Sequence, residues 1–293
     1  MSIVERAIQK NRAEKSAGAT RERSTGPDRA LGRARQASAI APELRIRPLP
    51  IALDMESCRQ RRLLVGDEEH DRGTIAAYRM LRTRLLHRAR TNQWTTIAIT
   101  SAGPNDGKTL TALNLAFSMA REKSREIVLL DLDMRNPSVC RTLGVQPARQ
   151  LRDHLESGGD MRGMFFSVGN ENLLISGSTV PTDDASELLS SPRFDDLIKD
   201  LKRGTVDPIV LIDLPPVLVT DDALVVAPKI DAFLLVASQG FTARADLTKA
   251  LGLLSEFRIA GVVLNRAVES AMGYDYSYEY GAKHGGDKDP SRG

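Results

Sequence analysis

The stretch Ser101–Thr109, SAGPNDGKT, constrains this chain more than any other. A β-branched run, Thr95–Thr100 (TTIAIT), precedes it and suits a buried strand. Gly103, Pro104, Asn105, Asp106 and Gly107 then punctuate a turn, and LTALNLAFSMA follows with apolar residues at helical spacing. Strand, glycine-containing loop, helix is the order that aims successive backbone N–H groups at a phosphate, with the partial positive charge of a helix N-terminus behind them. In that frame Lys108 reaches β- and γ-phosphate oxygens and the Thr109 hydroxyl sits on Mg²⁺, so Gly103 to Thr109 form a nucleotide site. Ala102 occupies the first position of the pattern G-x-x-x-x-G-K-[ST], where a small residue still permits the tight turn.

Two acidic motifs fit the same site. Glu126–Leu132 (EIVLLDL) is an apolar run of the kind expected for a parallel strand buried on both faces, and it ends in Asp131 and Asp133 within LLDLDMR. In open α/β sheets ligands lie at the carboxyl ends of strands, where these acids fall. Two apart, they would share a face of an ideal strand, suited to holding the Mg²⁺ water shell or taking a proton from an attacking hydroxyl. One Asp alone would serve as a helix or turn cap; the pair followed by Arg135 and Pro137 points to a site. Pro208–Pro216 (PIVLIDLPP) repeats the theme: the prolines stop the strand and leave Asp213 at its carboxyl edge, the place of a metal-associated acid in phosphate-loop enzymes. The expected metal set is therefore Thr109, Asp133 and Asp213.

Elsewhere Thr74–His87 reads as a helix with Ile75, Tyr78, Leu81, Leu85 and Leu86 in one stripe. A weaker helical reading covers Leu53–Val65. Short helices or loop anchors are expected at Leu151–Leu155 and Phe165–Val168, a strand at Asn172–Ser176, and helices at Ser186–Ser190 and Phe194–Lys202. Asp231–Ser238 and Ile259–Asn265 are further strands flanking a helix from Arg244 to Phe257, and alternation of strand and helix implies a mostly parallel sheet covered on both faces. Asn265 would meet an adenine edge or serve as a turn residue.

Three parts follow: residues 1–50, a short amphipathic helix and a basic arm; residues 51–268, the α/β domain; and residues 269–293, a tyrosine-rich tail. From Asn11 to Pro50 arginines are mixed with Ala, Ser, Gly and Pro, a composition read as a disordered tether. Cys58 and Cys140 have no metal-ligand spacing and fit a reducing cytosol, and no apolar run of about 18 residues suggests a membrane span. The expected location is cytoplasmic, peripheral to the plasma membrane through a partner. Of the chain's five tyrosines, Tyr274, Tyr276, Tyr278 and Tyr280 lie in GYDYSYEYG, where phenolic hydroxyls beside an ATP site are placed as phosphoryl acceptors; an exposed edge strand is the plainer alternative.

SAGPNDGKT, LLDLDMRNP, LIDLPP and the tyrosine-rich tail together resemble the bacterial tyrosine kinases of polysaccharide-export systems, relatives of the MinD and ParA ATPases. MSIVERAIQK resembles the cytoplasmic branch found with exosortase and exopolysaccharide loci. The resemblance implies a P-loop NTPase fold, with Lys108, Asp131 and Asp133 catalytic. It further implies autophosphorylation in trans within a homo-oligomer, activation by the cytosolic segment of a membrane polysaccharide co-polymerase, and reversal by a cognate tyrosine phosphatase. No nucleic-acid partner is expected. In the helix before the phosphate loop, Arg79 and Arg82 match the family's E-x-x-R-x-x-R ring-contact motif, but Ala76 stands at the Glu position. No His-Arg-Asp or Asp-Phe-Gly motif is present, which excludes the eukaryotic-type kinase mechanism. The runner-up function is a nucleotide-switched ATPase that gates a polysaccharide polymerase without phosphorylating anything.

Overall fold

A computed structural model describes residues 48–65, 72–159, 161, 163–204 and 207–268. The first 47 residues and the tail, with its four tyrosines and the expected N-terminal helix, lie outside the described residues. The described chain runs β1 (Leu49–Pro50), α1 (Met55–Gln60), α2 (Arg72–Asn92), β2 (Thr96–Ser101), α3 (Lys108–Ala120), β3 (Ile127–Asp131), α4 (Val139–Leu143), α5 (Leu151–Ser157), β4 (Phe166–Ser167) and β5 (Leu173–Ser176). It continues with α6 (Ala185–Ser190), α7 (Pro192–Gly204), β6 (Ile209–Asp213), α8 (Asp222–Val226), a 3₁₀ turn (Ala227–Lys229), β7 (Ala232–Ser238), α9 (Arg244–Leu253) and β8 (Ile259–Asn265).

The strands form one eight-stranded sheet in the order β1-β4-β5-β3-β6-β2-β7-β8. All neighbouring pairs are parallel except β4 with β5. Each central strand sends alternate residues to opposite faces, and each face has its own core. On one side Ile97, Ile99, Leu129 and Leu211 pack with α2, α3 and α4 through Leu85, Leu113, Met119 and Cys140. On the other, Ala98, Leu130, Ile212 and Phe233 pack with α5 to α9 through Leu155, Leu189, Phe194, Leu197 and Ala250. Burial on both faces accounts for the unbroken apolar runs of β2, β3, β6 and β7, none of whose residues is exposed.

Helix α3 is buried almost all round because α2 and the segment before it cover its outer side. The buried Asn114 amide fastens that cover: its Oδ1 accepts from the Leu64 N–H at 2.8 Å and its Nδ2 donates to the Arg62 carbonyl at 3.0 Å. Helix α2 extends beyond the expected Thr74–His87 at both ends. Its Arg82 donates to the Ser118 carbonyl at 2.8 Å, so this member of the expected ring-contact pair is engaged within its own chain.

Phe165–Val168, expected as helix or loop anchor, instead supplies β4. Phe165 faces one core and Phe166 the other, the period of a strand. Asp131 and Asp133 do not share a strand face either: β3 ends at Asp131, and Asp133 lies in the loop beyond it. The helix expected to reach Phe257 ends at Leu253.

Candidate active site

The strand order places β6 between β3 and β2, so the carboxyl ends of the strands carrying the acidic motifs lie beside the phosphate loop. Asp131 and Asp213 are register partners, and Asp213 is also level with Ile99 of β2. The loop from Ala102 to Gly107 bends through left-handed backbone at Asn105 (φ 63°) and Gly107 (φ 87°). At Gly107 a Cβ would collide with the Asn265 side-chain amide, so only glycine suits both the backbone angle and the space. Ala102 is fully buried, which explains why a small apolar residue is accepted at the start of the motif.

The loop is braced from behind by side chains. Ser101 Oγ donates to the Gly103 carbonyl at 2.7 Å, and the Asp106 carboxylate accepts from the Gly103 N–H at 3.3 Å and from the Thr242 hydroxyl. Asn265 Nδ2 donates to the Asp106 carbonyl at 2.9 Å. Asn265 therefore braces the phosphate loop, while its Oδ1 accepts the Arg266 N–H at 2.9 Å in the turn after β8, the turn role expected of it. Thr242 carried no sequence signal: a threonine in a β–α loop looks like any other until the fold brings it under the phosphate loop.

Lys108 opens α3, and its ammonium is 2.6 Å from Asp133 Oδ2 and 3.8 Å from Asp213 Oδ1. Thr109 Oγ1 donates to Asp213 Oδ2 at 2.6 Å and lies 2.8 Å from Ser138 Oγ. Asp131 Oδ2 accepts the N–H groups of Ser138 and Val139 at 2.9 and 2.8 Å, at the start of α4. That is the helix-cap geometry, adopted by a residue that also faces the site. The fold thus gathers Lys108, Thr109, Asp131, Asp133 and Asp213 and adds Ser138, another loop hydroxyl without a sequence signal.

Three buried carboxylates around one lysine make an unusual electrostatic balance. Burial, followed by repulsion from Asp213, pushes Asp131 up to about 8, against the opposing pull of the Val139 N–H and Lys108. Asp213 is likewise raised by burial, although Lys108 and the Thr109 hydroxyl favour its charged form. For Lys108 burial favours loss of the proton, but Asp213 and Asp133 outweigh it and the ammonium is held more firmly than usual. Asp131 Oδ1 and Asp213 Oδ1 are buried without a hydrogen-bond partner. Such orphaned acceptors are costly unless a cation or donor completes them.

A parallel sheet covered on both faces, with a strand–phosphate loop–helix unit and acidic ends on the two strands beside it, defines a P-loop NTPase of the MinD and ParA class. Residues 93–287 match the ParA family described as "NUBPL iron-transfer P-loop NTPase". The fold is shared with the Pyrococcus horikoshii septum site-determining protein MinD in complex with Mg-ADP, at 23% identity and a TM-score of 0.51 over 60% of this chain and 72% of that one. Within the class, the likeness is more specific. "Tyrosine-protein kinase CpsD" of Streptococcus pneumoniae serotype 4 is 34% identical over 178 residues, covering 58% of this chain and 75% of that protein. "Tyrosine-protein kinase wzc" of Salmonella typhimurium is 31% identical over 214 residues, 70% of this chain but only 29% of that longer protein. The crystal structure of the VpsO kinase domain superposes with a TM-score of 0.60 at 28% identity, over 67% of this chain and 95% of that one. The chain belongs to the bacterial tyrosine-protein kinase family. Among the described residues no helix is long and apolar enough to cross a membrane.

Proposed function

We propose that this chain is an ATP-dependent protein-tyrosine autokinase of the cytoplasmic, exosortase-associated branch of that family, modifying Tyr274, Tyr276, Tyr278 and Tyr280 in trans and so regulating exopolysaccharide synthesis and export. The observation that carries the reading is the cluster of Lys108, Thr109, Asp131, Asp133 and Asp213 at the end of a P-loop.

The donor set fits Mg²⁺. It is all oxygen, it holds a hydroxyl 2.6 Å from a carboxylate, and the other oxygen of that carboxylate is buried with no hydrogen bond, the Lys108 ammonium standing 3.8 Å away. Mg²⁺ ordinarily keeps several waters and substrate phosphates in its shell beside one or two carboxylates. Thr109 and Asp213 would hold the ion, with Asp133 beside them. Bound there, it supplies charge neutralisation at the β- and γ-phosphate oxygens.

The residues of the chain do the rest by positioning. Loop N–H groups and the start of α3 cradle the phosphates, and Lys108 exchanges its contact with Asp133 for the γ-phosphoryl oxygens. Releasing Asp133 from Lys108 frees a carboxylate to orient the tyrosine hydroxyl and take its proton. Asp131, sealed from solvent and committed to α4, holds the loop that carries Asp133. A membrane co-polymerase segment as activator, a cognate phosphatase and a homo-oligomer complete the proposal.

The test is transfer from γ-labelled ATP with Mg²⁺, alone and with the co-polymerase's cytosolic segment, followed by mapping of labelled residues. Label on Tyr274 to Tyr280 should fall by at least about a hundredfold in Lys108→Met. Hydrolysis with no tyrosine label, activator included, would replace this reading with the nucleotide switch.

A further inference from the structure

Arg135 follows Asp133 by two residues, and its guanidinium turns to the protein rather than to the phosphate loop. Nε donates to Asp222 Oδ2 at 3.2 Å, Nη2 to Ser186 Oγ at 3.1 Å and to Asp222 Oδ1 at 3.5 Å, and Nη1 to the Asp183 carbonyl at 2.9 Å. Asp222 is fully buried. Ser186 Oγ in turn lies 2.6 Å from Asp222 Oδ1 and 2.9 Å from Asp221 Oδ1. The clasp joins three separate segments: the loop after β3, the approach to α6, and the first turn of α8, which follows the Asp213 strand. A backbone bond from the Thr182 N–H to the Met134 carbonyl, 2.9 Å, runs beside it.

The other side of the same turn is the active site. The Asn136 N–H donates to the Asp133 carbonyl at 3.0 Å and to Asp133 Oδ1 at 3.2 Å, closing a turn with Arg135 inside it. That turn leaves Asp133 Oδ2 aimed at Lys108. Asp133 thus keeps its aim only while the turn is held, and the turn is held on its outer side by Arg135. A guanidinium this fully engaged has little left to offer a phosphate, whereas its forked contact fixes direction as a lysine could not.

We propose that Asp222, acting through Arg135 and steadied by Ser186, is a positioning residue for Asp133, coupling the loop after β3 to the segment after β6. This rests on the proposed role of Asp133. Residues that orient a catalytic or metal-associated group typically change activity about 10–100-fold when altered. Asp222→Asn should therefore lower kcat for tyrosine phosphorylation by about 10–100-fold while KM for ATP stays within about threefold. Arg135→Lys should do the same, because it restores charge without the fork. Ser186→Ala, which keeps the ion pair, should lose only a few-fold and carries the test if Asp222→Asn does not fold.

The decisive comparison is made in an Asp133→Asn background. There Asp222→Asn should have no further effect, because the residue it positions is gone. An undiminished loss in that background, or a folded Asp222→Asn protein with wild-type kcat, overturns the proposal. A second readout is the Mg²⁺ dependence of binding of a fluorescent ATP analogue to the full chain, which needs no phosphotransfer. Asp222→Asn should move the Mg²⁺ requirement in the same direction as Asp133→Asn, and an unchanged requirement counts against it. Failure of the wild type to label any tyrosine would sink the kinase reading and leave this second measurement to decide the positioning role.

Discussion

The two ends of the sheet use the same side chain in opposite ways. At the amino ends Asp231, just before β7, accepts on one oxygen the N–H and hydroxyl of Thr95 (2.8 and 3.1 Å) and of Thr96 (2.8 and 2.8 Å), with Lys202 3.6 Å away. Burial alone would raise its pKa, but the N–H groups of Thr95 and Thr96, the Thr96 hydroxyl and Lys202 outweigh it and hold the carboxyl below its ordinary value. At the carboxyl ends Asp131 and Asp213 are more deeply buried, each keeps one oxygen without a hydrogen bond, that of Asp213 lying 3.8 Å from the Lys108 ammonium, and both are raised. One carboxylate is completed by the fold and pins strand β2 to β7. The others are left incomplete where a phosphate-bearing ligand and its cation would sit. Deeper burial together with incomplete hydrogen bonding, rather than residue type, separates the candidate functional acids from the structural one.

The largest break in that contrast should come from removing Lys108, the cation set among these acids. Lys108→Met leaves Asp133 and Asp213 without their cation, and loss of one partner of a buried ion pair costs about 3–5 kcal/mol. The nucleotide-free protein should lose about that much in urea denaturation at neutral pH. The deficit should shrink on acidification as the carboxylates take up protons and no longer need the ammonium; a pH-independent deficit would mean that Lys108 contributes packing rather than charge.

Asp231→Ala should come next. It strips the backbone N–H groups of Thr95 and Thr96 of their acceptor, a loss of about 2–3 kcal/mol. Because the folded pKa lies below the unfolded 3.8, the stabilisation is present above that value and fades as pH falls through the folded one. The gap between variant and wild type should close in acid. Phosphoryl transfer per folded molecule should stay at wild-type level, since Asp231 holds Thr95 and Thr96 at the ends of the strands opposite the phosphate loop; a matching loss of activity would erase the distinction between the two ends.

The sequence made the incomplete end legible because its chemistry is local. SAGPNDGKT spans nine consecutive residues, and apolar runs ending in acids announce both the strands and the acids at their edges. Strand type came from periodicity and was right for the central strands, where burial on both faces gives an unbroken apolar run. It failed at β4 and at β1, two-residue strands too short to show a period; Leu49–Pro50, expected as the end of the disordered arm, pairs with Phe166–Ser167 instead. What the sequence concealed is pairing at a distance. Asp231 with Thr95 and Thr96, Asp106 with Thr242, and Arg135 with Asp222 are each separated by 87 to 136 positions, so only strand order brings them together. Nothing in the residues around Asp222 announces a buried partner for Arg135.

An effect of the opposite sign is the sharpest test of the contrast. With a folded value of about 8 against 3.8 in the unfolded chain, the protonated form of Asp131 is favoured in the fold. That contribution is fully present below the unfolded value and is lost as pH rises through the folded one. The nucleotide-free wild type should therefore lose stability between about pH 4 and pH 8. Asp131→Asn is neutral at every pH, and its carbonyl oxygen can still accept the N–H groups of Ser138 and Val139 while its amide faces Asp213. It should be at least as stable as the wild type near pH 8 and show no such slope, even if tyrosine phosphorylation falls. A variant less stable than the wild type at pH 8 would show that the Asp131 carboxylate is satisfied after all, and would place it with Asp231 as a purely structural acid.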